Sequence, residues 1–235
     1  MTDLEIAEAK KNFEAKLLEL REIVSKRIDE VLKDGEFKLN IKTLTGIHEK
    51  LFHDIYLNNG HFRDFNLRIE EEILYGETIQ YADFHTIPAF LQFDIRDELK
   101  KDYKSMNKDE IVSNIASFAA NLWKTHPFND GNTRTVCIFI EKYLMSMGLN
   151  VDNNVFKENG LYYRDALVKA CYKNEKFGIE EDLEPLIKIY KKAIFDRSIE
   201  LDDKDLDIPG LLLNLEIKRR KKSKTMSSPW IKKQK

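Results

Sequence analysis

The residues that could do chemistry stand together: His126-Pro127-Phe128-Asn129-Asp130-Gly131-Asn132-Thr133-Arg134. His126 is a proton acceptor whose ordinary pKa lies close to cellular pH. Asp130 offers a hard oxygen ligand of the kind Mg²⁺ takes. Gly131-Asn132 permits a tight turn, and Arg134 is a fixed positive charge. Helical patterns lie on both sides, so the turn enters a helix N-terminus, where free N–H groups and the helix dipole favour anions. A base, a metal ligand and an anion cradle this close together point to phosphoryl or nucleotidyl transfer. Singly, each piece has a plain reading: His-Pro as a turn, Asp-Gly as a hairpin, Arg134 as surface charge. Their joint spacing between two apolar helices makes coincidence improbable.

The flanking segments must position this loop. Before it, Asn107-Lys108-Asp109-Glu110 is a cap-like start, and Ile111, Ile115, Phe118, Ala119, Leu122 and Trp123 make a strongly apolar helix ending at Thr125-His126. Pro127 disfavours the right-handed helical conformation at His126 and stops it. After the loop, a second central helix runs from about Thr133 to Met147, with Gly148 as its C-cap. Further amphipathic helices are expected over 4–33, 43–56, 88–100, 161–172 and 179–197, and a short one after Pro209-Gly210. The first of these is either a scaffold helix or a docking helix for a partner or a dimer.

Residues 73–81 differ from the rest. Two short β-rich runs flank Gly76-Glu77, and glycine there suits a two-residue hairpin turn. A lone hairpin in a helical chain leaves an exposed edge, which is either decoration or a strand that accepts an extended peptide. The expected fold is all-α, a mostly helical bundle with one small β-hairpin flap.

With 42% hydrophobic and 34% charged residues, the 235-residue chain can bury a core. A net charge of −2 argues against a general nucleic-acid binder. Cys137 and Cys171 are far apart and read as buried free thiols. The start of the chain shows no secretory signal, and no apolar run could span a bilayer. The expected location is cytoplasmic, although secretion into a host cell by a specialised route would leave no such mark. Lys218-Arg219-Arg220-Lys221-Lys222, with Lys224, Lys232 and Lys233, form a basic tail. That tail is either a solubilising end or a contact for an acidic partner, anionic lipid or nucleic acid.

His126 to Arg134 resembles the signature of the Fic (filamentation induced by cAMP) family, His-x-Phe-x-Asp/Glu-Gly-Asn-x-Arg, at every defined position. Ile47-His48-Glu49-Lys50-Leu51-Phe52, Gly60-His61-Phe62-Arg63 and Tyr163-Arg164-Asp165-Ala166-Leu167 resemble flanking family segments. The resemblance implies an N-terminal helical extension over 1–39, a catalytic core over 40–197 and a linker with basic tail over 198–235. It implies a protein adenylyltransferase that moves AMP from ATP to a Ser, Thr or Tyr hydroxyl. His126 would be the general base, and Asp130 would hold Mg²⁺. Asn129, Gly131, Asn132, Thr133 and Arg134 would bind the nucleotide, with the Asn132 side chain in the anion hole. Ile73, Tyr75, Gly76, Ile79 and Tyr81 would form a target-docking flap.

The sequence departs from the family where a second phosphate-binding arginine is common, because that position holds Cys137. Transfer of another nucleotidyl or phosphoryl group, removal of AMP, or a degenerate interaction module therefore remain as alternatives. No convincing inhibitory-helix motif is found, which fits a toxin-like protein held by an antitoxin-like inhibitor in trans, a different device or none. Homo-oligomers are a further expected partnership.

Overall fold

The computed structural model describes residues 3–226. Of the basic tail, residues 227–235 and the side chains from Arg219 onward lie outside the described residues. The described helices are α1 (Asp3–Lys33), α2 (Ile41–Phe52), α3 (Ile87–Glu98), α4 (Lys108–Thr125), α5 (Asn132–Ser146), α6 (Asn153–Glu158), α7 (Gly160–Cys171), α8 (Glu184–Ile194) and α9 (Leu211–Met226). At 63% helix the fold is all-α, as the periodicity predicts.

Helices α4 and α5 form the centre. α4 packs against α3, α5, α7 and α8, while α5 packs against α1, α2 and α4. Ile115, Ala116, Ala119, Leu122 and Trp123 of α4, and Val136, Phe139, Ile140 and Leu144 of α5, are buried. Each large apolar side chain removed from water contributes about 1.5–3 kcal/mol. α4 starts at a capping box. The Asn107 side chain accepts from the Asp109 and Glu110 N–H groups at 3.0 Å, and Glu110 accepts from the Asn107 N–H at 2.7 Å.

α1 is fixed to this centre by cations on helix C-terminal carbonyls. Arg27 donates to the His53 and Leu51 carbonyls, ending α2. Lys142 of α5 donates to the Val31 carbonyl at 2.8 Å and to that of Asp34, ending α1. Val24 and Val31 are buried, whereas Phe13 and Leu18 further up the helix stay exposed.

Four local expectations change. α2 ends at Phe52 instead of Tyr56, because the chain turns at 53–55 with Asp54 at φ 60°. α8 starts at Glu184 instead of Ile179: Pro185 sits in its first turn, and Ile179 pairs with Asn174 in an isolated antiparallel bridge. The short α6 was not legible from periodicity. Finally, residues 73–81 form no strand ladder. The chain does reverse there, but through a 3₁₀ turn at Glu72–Leu74 with Tyr75 and Gly76 left-handed. Glu71 N–H donates to Glu77 O at 2.9 Å, and Glu71 O accepts from the Gly76 N–H at 3.1 Å, which closes the reversal. Tertiary burial wins over local β propensity here, since Leu74, Ile79 and Tyr81 turn into the core.

Candidate active site

The loop between α4 and α5 is held from below by its own side chains. Asn132 accepts from the Phe128 N–H at 2.9 Å and donates to the Phe128 carbonyl at 2.8 Å. The amide oxygen and one of its two N–H donors thus brace the loop. Phe128 is buried, with its ring stacked 3.9 Å from that of His48. His48 Nδ1 accepts from the Gly60 N–H at 2.8 Å, so its Nε2 carries the proton that reaches the Asp130 carbonyl at 3.0 Å. Burial lowers the His48 pKa and keeps this neutral form in place.

Arg63 ties three segments together. It is 3% exposed, and its guanidinium donates to the carbonyls of His126 (2.8 Å), Phe65 (2.6 Å) and Ala82, while the Arg63 N–H reaches the Pro127 carbonyl at 2.9 Å. One side chain thus fixes the 126–134 loop to both ends of the 64–83 segment. That role was missed from the sequence, where Arg63 was only part of a flanking resemblance.

His126 caps α4 in the left-handed conformation, φ 48°. Its Nδ1 faces the Trp123 carbonyl at 3.3 Å, an acceptor, so Nδ1 bears the proton and Nε2 keeps a lone pair. Burial pushes its pKa down to about 4, against a partial upward pull from that carbonyl. The Tyr81 ring lies 4.4 Å from the imidazole. Tyr81 is held in turn by Glu71, which accepts from its hydroxyl at 2.6 Å and from Arg164 of α7 at 2.5 Å.

Asp130 is exposed. Its Oδ1 accepts from the Gly131 N–H and its Oδ2 from the Tyr56 hydroxyl at 2.9 Å. Arg134 donates to that hydroxyl at 3.3 Å and lies 4.8 Å over the Phe52 ring. The first intrahelical bond of α5 runs from Thr135 N–H to Gly131 O, so the N–H groups of Asn132, Thr133 and Arg134 have no helical acceptor. The Thr133 hydroxyl accepts from the Trp123 indole at 2.9 Å, and Asn129 is exposed on the loop.

Gly131 is required by shape. Its φ is 76°, and a Cβ there would come within 2.4 Å of the buried Phe52 ring. Gly131→Ala should cost about 2–4 kcal/mol, part backbone and part steric. Gly148→Ala, at φ 83° but with open space around it, should show the backbone part alone, about 1 kcal/mol. Denaturant melts of both variants check this, and equal losses would contradict the steric part.

Beside Arg134 lies a cavity of ≈ 340 Å³. Its lining includes Thr133, Arg134 and Cys137 of α5, Arg21 and Ser25 of α1, and Lys157 of α6. Neither α1 nor α6 was expected to contribute; helical periodicity showed the apolar face of α1, not what its polar face overhangs. Cys137 donates to Glu141 at 3.3 Å, and Asn153 donates to the other Glu141 oxygen at 2.8 Å. Burial pushes the thiol pKa up and that of Glu141 to about 7. Both cysteines are buried and free.

Of the residues expected in a docking flap, Tyr75 and Gly76 are exposed and Ile73 is half-buried. The Ile79 and Tyr81 side chains are buried, so they anchor the segment instead of presenting it. The N–H groups of Thr78 to Ala82 make no hydrogen bond among the described residues.

Residues 38–144 match the model of the Fic/DOC family, a stretch that runs from before α2 into the last turn of α5 and includes the whole loop. This part of the chain is a Fic domain. The fold is similar to that of the BepC protein, a VirB-translocated effector of Bartonella tribocorum solved with AMPPNP: 21% identity, TM-score 0.61, 77% of this chain and 87% of that one. It is also similar to the N-terminal Fic domain of a VirB-translocated Bep effector from Bartonella quintana solved with ADP: 22% identity, TM-score 0.60, covering 85% and 89%. At these identities what is shared is the fold. No curated protein matches the chain. No helix among the described residues is long and apolar enough to cross a membrane.

Proposed function

We propose that the chain is a protein adenylyltransferase, moving AMP from ATP to a Ser, Thr or Tyr hydroxyl of a protein, with residues 40–197 as the catalytic unit. The observation that carries this reading is His126: a buried imidazole, neutral down to about pH 4, with its Nε2 lone pair free beside an open helix N-terminus. The bound AMPPNP and ADP of the two similar structures support a nucleotide at this fold.

In this reading the target hydroxyl attacks the α-phosphorus, His126 Nε2 takes its proton, and pyrophosphate leaves. Charge developing on the phosphate meets the free N–H groups of Asn132, Thr133 and Arg134 and the Arg134 guanidinium. Gly131 lets the backbone come close, and Asn132 keeps the loop in shape. Asp130 is an exposed carboxylate, and it belongs to no group of three or more potential metal ligands among the described residues. That donor set suits Mg²⁺, which keeps waters and takes the rest of its oxygens from a nucleotide. Bound there, Mg²⁺ would neutralise phosphate charge. Cys137 supplies no cation, but Arg21 and Lys157 line the same cavity and offer one.

Two measurements test this. Label from ATP should enter protein from the α position and not from the γ position; γ-label transfer would favour a phosphotransferase instead. The pH profile of kcat/KM should be flat from about pH 8 to about pH 5 and fall below about pH 4. An inflection near the ordinary histidine value of 6.5 would show that the base is not this buried imidazole. The same shift makes folding stability drop as pH falls from 6.5 towards 4, because only the unfolded chain takes up the proton in that window.

A further inference from the structure

A groove of ≈ 1060 Å³ runs beside residues 77–83, bounded by α3, the end of α4 and the segment after α7. Its charges are nearly all engaged. Lys124 pairs with Glu181 at 2.5 Å, and Lys173 with Glu180 at 3.0 Å. Lys218 pairs with Glu77 at 3.0 Å, and Asp83 accepts from Asn66 and from the His85 N–H. Asp94 is different. It is half-buried in the groove wall and makes no hydrogen bond or ion pair among the described residues.

On α3, Asp94 follows Phe93 directly and lies one turn from Phe90. Both phenyl rings line the groove, 49% and 59% exposed for Phe90 and Phe93. The segment Thr78 to Ala82, whose main-chain N–H groups make no hydrogen bond among the described residues, also lines the groove. Tyr81, which lines the groove, carries its ring to 4.4 Å from His126.

With the protein substrate docked along residues 77–83, as the family resemblance implies, we infer that an arginine or lysine of that substrate seats by Phe90 and Phe93 against Asp94. The inference rests on the transferase reading and adds the charge of the target. An unpaired carboxylate lining the same groove as two exposed rings matches a long cationic side chain: the aliphatic stem covers a ring, and the head meets the carboxylate. The free N–H row supplies contacts that any extended backbone can make, so it gives affinity without selectivity. Asp94 gives the selectivity, and an acidic side chain at the same point is repelled by it.

The test uses the full chain without nucleotide. Fluorescently tagged peptides Thr-Val-X-Val-Thr, with arginine, norleucine or glutamate at X, are titrated by polarisation. The arginine peptide should bind about fivefold tighter than the norleucine peptide, and the glutamate peptide should bind weakest. Asp94→Asn should level arginine with norleucine, and Asp94→Lys should reverse the order in favour of glutamate. Circular dichroism melts confirm that both variants fold. Equal binding of the three peptides, no binding of any, or an order unchanged in Asp94→Lys overturns the inference. So does sedimentation showing a dimer that Asp94→Lys dissociates, since the groove would then belong to a second copy. Loss of Mg-ATP binding by the wild-type chain, measured separately, would instead overturn the transferase reading and leave the peptide result standing.

Discussion

His126→Ala should leave the fold intact and lower transfer by about 10²–10⁴-fold, the usual contribution of a positioned general base. The variant removes a buried ring from between Tyr81 and Trp123, at 4.4 and 5.4 Å, so some packing is lost with it. His126→Gln separates the two effects. It fills most of the space but accepts no proton at neutral pH, so it should be as inactive as alanine while melting closer to wild type. Mg-ATP affinity should survive in both, because the phosphate contacts assigned here lie on α5. Label transfer undiminished in either variant would remove His126 from the mechanism.

Arg63→Met should be the most destabilising single change near the site, on the order of 3–5 kcal/mol. Methionine keeps the stem but leaves the carbonyls of His126, Phe65 and Ala82 without a donor. Buried acceptors left unpaired cost their full desolvation, which is why the loss exceeds the net worth of three ordinary hydrogen bonds. For a chain of this size the melting temperature should fall by about 10 °C. Because Arg63 also joins the catalytic loop to the 64–83 segment, kcat should drop well below the melting temperature too. A melting temperature within about 2 °C of wild type would show that the clamp is not a structural keystone.

Much of the site was legible in the sequence because its constraints are local. Pro127 after an apolar helix, a glycine where φ must be 76°, and a helix starting at Asn132 all follow from residue types in a row. The helical fold was legible for the same reason, since α4 and α5 carry apolar faces at helical spacing. What failed depended on contacts distant in sequence. The 73–81 segment has β-prone residues, yet Tyr81 is drawn inward by Glu71 and the site histidine, and the strands never pair. Arg63 and Tyr56 gave no signal of their own, because a single arginine or tyrosine in an irregular stretch has no periodicity to reveal its partner. The overhang of α1 across the Arg134 cavity was hidden likewise: Arg21 and Ser25 sit on a face that reads as solvated.

The most direct test of the central claim is intact-mass analysis of the chain with a candidate protein substrate after incubation with Mg²⁺ and ATP. The account predicts a gain of one AMP on the substrate or on the chain itself, with pyrophosphate released, and no gain with His126→Ala. A gain of phosphate alone, or an AMP gain that persists without His126, would contradict it.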